Sequence, residues 1–150
     1  MSSNSKAAAF PEISVRNLQR IIPVKIVDLG RFAVRALRSC LKRHKRKSTE
    51  LRKLHEIFVY LISNRRMALL HRQFLHQTGP TDVLTFDHGE IFISVEAALR
   101  NARVFGNSLG RELRLCLVHG LLHLHGFDDR TRAGAQKMEK AQQKILRQLS

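Results

Sequence analysis

The run His119-Gly120-Leu121-Leu122-His123-Leu124-His125-Gly126-Phe127-Asp128-Asp129 sets two histidines four apart inside an apolar stretch that reads as helix. One helical turn separates His119 from His123, so their imidazoles project from one face. Gly126 stops the helix and lets the chain turn back sharply. Asp128 and Asp129 then arrive where a third ligand would reach a metal. Two ligands on a rigid helix plus one on the returning chain describe an open metal site, its fourth position left to water. Spacing alone does not choose between the two aspartates. His125 lies about 200° round the helix from His123, so it should point away, as a surface residue or a partner one step removed from the metal. A histidine pair alone is a weak signal, because helical histidines are often satisfied in other ways. Its depth in an apolar segment strengthens it, since an imidazole without a partner is costly there.

The helix that carries the pair starts at Asn107 or Ser108 and runs to His125. Its second half is apolar nearly all round, which places it in the core. Upstream, residues 82–86 and 90–94 read as strands around the Asp87-His88-Gly89 turn. A helix follows over about residues 95–104. Gly79-Pro80 breaks the chain before the hairpin. Residues 57–62 are apolar and rich in β-formers, a buried strand. Ser63 or Asn64 caps a helix running to about Leu75. Nearer the start, residues 13–19 form a first strand that Pro23 ends, and a helix runs from about Asp28 to Lys42. Residues 43–47 make an exposed basic turn. Beyond the metal-site run, a last helix covers about residues 132–149 with Met138, Ala141, Ile145 and Leu149 facing inward. The sum is an α+β fold of about four strands in a mixed sheet and about five helices, the metal-site helix in the core. Residues 1–150 read as one domain, with residues 1–10 a flexible terminus.

Lys and Arg number 27 against 12 Asp and Glu, a net charge of +15 and a sequence pI near 11.2. That is far more charge than solubility asks for, and it draws nucleic acid or another anionic surface. One basic helix face consists of Arg31, Arg35, Arg38 and Lys42, opposite an apolar stripe of Ala33, Ala36, Leu37, Cys40 and Leu41. A second consists of Lys137, Lys140, Lys144 and Arg147. Each stripe taken alone reads equally well as a solvated helix face. With one Tyr and no Trp, the chain has no obvious platform for base stacking, so backbone and shape contacts are the expected mode. Cys40 and Cys116 sit in apolar helical stretches and read as buried, reduced thiols, which points to the cytoplasm. No signal peptide is evident in residues 1–9, and no apolar run approaches the length of a membrane span.

The run from His119 to Asp129 resembles the signature of the YbeY family, bacterial metal-dependent endoribonucleases of ribosomal RNA maturation. That signature has two histidines four apart, a glycine, an aromatic-Asp pair, and a third histidine six residues after the second. His119, His123, Gly126, Phe127 and Asp128 match it, and Asp129 holds the place of the third histidine. A second stretch, Pro80-Thr81-Asp82-Val83-Leu84-Thr85-Phe86 followed by Gly89-Glu90-Ile91, resembles the family's Thr-Asp-Val-Leu-Ser-Phe strand and its Gly-acid-Ile strand. The order of elements fits from about residue 12 to 148.

The resemblance implies a metal site of His119, His123 and Asp129 holding one zinc ion, another divalent metal being compatible with the Asp129 carboxylate. It implies a single-strand-specific endoribonuclease of small-subunit (16S) ribosomal RNA 3′-end maturation and ribosome quality control. The partners would be RNA and the small ribosomal subunit, with neither DNA nor a membrane specifically called for. Asp128 and Asp82 are candidates to brace a ligating histidine, though Asp82 has an equal role as a strand-opening acceptor of backbone hydrogen bonds. Two departures from the family pattern stand out. Asp129 adds negative charge, which holds the pKa of bound water higher than a neutral imidazole would and shifts preference toward harder metals. The family's arginine six residues before the strand threonine is Leu75 here, leaving Arg72, His76 and Arg66 as nearby substitutes, with Arg72 and His76 the candidates for a catalytic cation.

In the expected mechanism the metal acts as a Lewis acid on the scissile phosphate and activates a water. A metzincin-like protease shares the spacing but needs a glutamate where this chain has Gly120. A zinc-stabilised RNA- or ribosome-binding factor with little catalysis is the rival that the Asp129 and Leu75 departures favour.

Overall fold

Alternation builds the sheet. The structure, a computed structural model, describes residues 10–43, 50–75 and 81–150. In chain order its elements are β1 (Glu12–Asn17), α1 (Ile26–Leu41), α2 (Glu50–Lys53), β2 (Glu56–Ile62), α3 (Asn64–Leu75), β3 (Val83–Phe86), β4 (Glu90–Ser94), α4 (Val95–Phe105), α5 (Leu109–Leu124) and α6 (Arg132–Leu149). The four strands lie in the order β1-β2-β4-β3, with β1, β2 and β4 parallel and β3 antiparallel on β4. The register aligns Val15 with Val59 and Val59 with Ile91. Side chains of period two therefore turn Ile57, Val59, Leu61, Ile91 and Ile93 onto one fully buried face. The opposite face carries Tyr60, Phe86 and Phe92, packed with Met67 of α3. Gly89 makes the β3–β4 turn at φ 111°, and a side chain there would sit 2.7 Å from the Glu56 carbonyl oxygen.

α5 is the centre of the molecule. It packs on α1, α4, α6, β3 and β4, as its all-round apolar second half predicts. Ser108 caps it, its hydroxyl accepting from the Arg111 amide at 3.1 Å. Gly120 sets the distance between α5 and the sheet: a Cβ at this position would lie 2.8 Å from Ile91 Cγ2. α6 starts at a Thr131 cap and turns Met138, Ala141 and Ile145 inward, with Leu149 packed against the core. Arg31, Arg35 and Arg38 lie exposed on α1, opposite its buried stripe, and Lys42, also exposed, caps its C-terminus.

The fold is the α+β arrangement with a four-stranded mixed sheet that the pattern predicts, and it differs in local detail. α1 begins at Ile26, so Asp28 lies within the first turn rather than at the cap, where its charge still complements the helix dipole. β1 ends at Asn17 because Gln19 folds back on the chain, its carboxamide oxygen accepting from the amides of Ile21 and Ile22. The short α2 raises the described helices to six; Arg52 ties it to the end of α1 by donating to the Leu41 carbonyl at 2.5 Å. Residues 1–9, the basic run beyond Arg43, His76 and Gly79-Pro80 lie outside the described residues. Cys40 and Cys116 are free and buried. Burial pushes the Cys40 thiol up to about 12 and the Cys116 thiol well above its ordinary range. Among the described residues no helix is long and apolar enough to cross a membrane.

Candidate metal centre

His119 and His123 lie on the face of α5 turned toward α6, each side chain about one-third exposed. Their Nε2 atoms approach to 3.1 Å and their rings meet edge to face. The chain reverses just beyond them: Gly126, at φ 99°, donates to the His123 carbonyl, and Phe127 donates to that of Leu122. This reversal returns Asp129 to the pair, with Oδ2 3.6 Å from His119 Nε2 and 3.7 Å from His123 Nε2. Among the described residues these three are the group of histidine, cysteine and acidic side chains arranged to share one ion.

The donor triangle fits a metal. A tetrahedral zinc ion with bonds of about 2.0–2.2 Å spaces its ligand atoms roughly 3.3–3.6 Å apart. The observed edges of 3.1, 3.6 and 3.7 Å bracket that spacing. The protonation pattern fits as well. Gln142 of α6 is buried, and its Oε1 accepts a short hydrogen bond from His119 Nδ1. A proton held on Nδ1 leaves the Nε2 lone pair facing the triangle. His123 is held below the ordinary histidine range, first by burial and then by the adjacent His119, with Asp129 and the backbone at Phe127 opposing. A neutral imidazole is what ligation requires.

Between the two aspartates the choice is geometric. Asp128 turns away and grips Arg130: Oδ1 accepts from the Arg130 amide at 2.9 Å and Oδ2 from its Nε at 2.7 Å. That bond to Arg130 holds the Asp128 carboxyl below its ordinary value. Asp128 thus braces the loop rather than a histidine. Asp82 takes its side-chain partner from Asn101, whose Nδ2 donates to Oδ2 at 3.3 Å, and its carbonyl accepts from Ser94. It lines a groove of about 430 Å³ that runs along α5 and α6 to His119. Arg72 is exposed on α3, which packs against β4 and α4, and among the described residues it shares no bond with the histidine pair.

His125 does point away from the site, but into the protein rather than to its surface. Its ring is fully buried, with Nε2 2.8 Å from the Arg43 carbonyl at the end of α1. The side of α5 opposite the metal face is the side α1 covers, so a residue there finds a neighbour. Gln142 is the partner of His119 that reading by motif passes over. Its sequence signal is modest: it is the polar exception in the inward stripe Met138, Ala141, Gln142, Ile145 and Leu146.

A family model described as "Endoribonuclease YbeY" matches residues 15–150. Over 110 residues the chain is 38% identical to "Endoribonuclease YbeY" of Moorella thermoacetica, covering 61% of this chain and 70% of that one. Over 139 residues it is 32% identical to the protein of the same name from Aster yellows witches'-broom phytoplasma, covering 84% and 93% of the two chains. A Thermotoga maritima protein solved in solution shares the fold at a TM-score of 0.56 and 28% identity, over 89% of this chain and 88% of that one.

Proposed function

The chain belongs to the YbeY family of endoribonucleases, and on that premise we propose that it is a metal-dependent endoribonuclease cutting single-stranded RNA at the His119, His123 and Asp129 centre. The observation that carries the reading is the donor triangle, built by the stretch that also bears the family motif. A divalent ion held there supplies Lewis acidity toward a phosphate oxygen and lowers the pKa of a water. His119 and His123 offer their Nε2 atoms; Gln142 holds the first in its ligating tautomer, and burial favours the neutral form of the second. Asp129 contributes the one formal negative charge among the three donors, so a dication and its ligands keep a net positive charge toward phosphate. The exposed cations of α1 and α6 offer phosphate contacts to the RNA backbone. Arg72 or His76 is the candidate to stabilise charge on the phosphorane.

Within this reading the substrate is ribosomal RNA at the 3′ end of the small-subunit species, with a part in ribosome quality control. The cofactor is one zinc ion or a harder divalent metal, and the compartment is the cytoplasm, in keeping with two buried free thiols. The domain is taken as one catalytic unit over residues 1–150. The rival, an RNA- or ribosome-binding factor with little catalysis, draws on Asp129 in the third ligand place. The protease reading loses further ground, because a glutamate at position 120 would be driven into Ile91 instead of reaching a water.

Elemental analysis of protein purified without chelator, followed by cleavage assays on single-stranded RNA with each divalent metal, tests the proposal. One metal per chain and cleavage lost in His123→Ala and Asp129→Ala are expected. RNA bound but uncut under every metal would hand the function to the binding-factor reading. Higher activity in Asp129→His would show a catalyst intact apart from its third ligand.

A further inference from the structure

The groove beside His119 has a character the metal chemistry does not use. Its volume of about 430 Å³ falls within the roughly 300–1,000 Å³ of small-molecule sites. At its rim stands Phe105, the last residue of α4, with 69% of its surface exposed. An aromatic ring left bare next to a reaction centre offers a flat apolar face. The lining also inverts the charge of the protein. The chain carries +15 overall, yet the groove is lined by Asp82, Glu112 and Glu139 and by no lysine or arginine among the described residues. Phosphate is repelled from such a lining. A nucleobase is neutral, stacks on an aromatic face and presents N–H donors at its edge.

Resting on the nuclease reading of the adjacent centre, we infer that this groove is a nucleobase subsite. Phe105 stacks on a base next to the scissile phosphate, and the acceptor-rich wall favours bases with an exocyclic amino group. Each carboxylate already accepts from a side-chain amide, Asp82 from Asn101, Glu112 from Asn107 and Glu139 from Gln142 and Gln143, and its remaining lone pairs take the amino group of cytosine or adenine. Uracil flanks its single N–H with two carbonyl oxygens, which the same wall repels. The electrostatics divide the substrate accordingly: phosphates go to the cationic surface and the metal centre, the base to the acidic groove. A base must be free of its helix to enter, which accounts for single-strand preference at the level of a named residue.

The test measures binding and cleavage separately. Equal-length oligo(C), oligo(A) and oligo(U) are titrated by fluorescence anisotropy against the metal-free chain, and steady-state cleavage is measured with metal added. Wild type should bind oligo(C) and oligo(A) about 5- to 100-fold more tightly than oligo(U). Phe105→Ala should weaken binding of the preferred oligomers about 5- to 100-fold, appearing in KM with kcat nearly unchanged. Phe105→Tyr should restore it. Val104→Ala, at the equally exposed neighbouring position, should leave both constants alone. The exposed position of Phe105 keeps each variant folded, and thermal melts check this. Cleavage by wild type with Phe105→Ala indistinguishable from it overturns the subsite and leaves the nuclease standing. Phe105-dependent binding without cleavage under any metal supports the subsite and overturns the nuclease. Equal affinity for oligo(U) overturns the acceptor wall.

Discussion

Replacing Gln142 with leucine separates what this residue does for the fold from what it does for the metal. Gln142 is 7% exposed, in a stripe whose other members are Met138, Ala141, Ile145 and Leu146. Leucine matches that surrounding and gains apolar contact. The hydrogen bonds it forfeits run to a His119 ring still about one-third exposed, whose Nδ1–H can turn to water, and to exposed Glu139 at 3.3 Å. The net change in metal-free stability should be within about 1 kcal/mol of zero. Metal affinity behaves differently. Loss of the partner that orients a ligating histidine weakens binding roughly 10- to 100-fold, or about 1.4–2.7 kcal/mol. At a fixed excess of zinc the stabilisation conferred by metal shrinks by the same amount, which for a domain of this size is roughly 3–11 °C of melting temperature. Chelator competition gives the affinity; paired melts with and without zinc give the stability. Gln142→Glu keeps the acceptor and should bind at least as tightly as wild type. If Gln142→Leu binds zinc within a factor of about two of wild type, the hydrogen bond does not position His119 and the reasoning fails.

Gly120→Glu, which installs the residue a zinc protease would need, should cost roughly 3 kcal/mol or more in urea unfolding, because the side chain is forced against Ile91 and a carboxylate is buried; stability equal to wild type would refute the packing account. Substituting Arg31, Arg35, Arg38 and Lys42 together by glutamine should lower the slope of log affinity against log salt for single-stranded RNA by up to about 3; an unchanged slope would mean the α1 face is merely solvated. Cys40 and Cys116 should resist thiol reagents at pH 8 in the folded protein and react once it is denatured, since burial holds Cys40 near 12 and Cys116 well above its ordinary range; rapid labelling of the native chain would contradict their burial.

The parts that were legible in the sequence are those set by local period and turn chemistry. α5 and its histidine face follow from spacing, and β2, β3 and β4 from β-rich runs bounded by Gly89 and a polar cap. What spacing does not carry is contact across long separations. Gln142 meets His119 over 23 residues, and His125 meets Arg43 over 82; both depend on how α6 and α1 lie against α5. Boundaries moved for similar reasons, as at Gln19, whose side chain rather than a breaker residue ends the first strand. Gly120 was legible as a missing glutamate. That it is a packing requirement of Ile91 emerges only when β4 is laid beneath α5.

The adjacent aspartates show how the loop turns one of two identical side chains toward the histidine pair. Asp128 spends its carboxylate on Arg130, two residues ahead, and its carbonyl lies so close to Gly134 that a side chain there would collide with it. Thr131 then caps α6 through the Gly134 amide at 2.9 Å. These short-range bonds hold the path from Gly126 into α6 without drawing on Asp129, whose Oδ2 is left facing both histidines. A third ligand on a loose loop would carry the entropy of ordering that loop into every binding event. Here the ordering is accomplished by residues outside the donor triangle, and Asp129 would meet a metal with its backbone already placed. The same division explains why the two positions do not exchange roles: a carboxylate moved to the triangle from position 128 would release both of its bonds to Arg130.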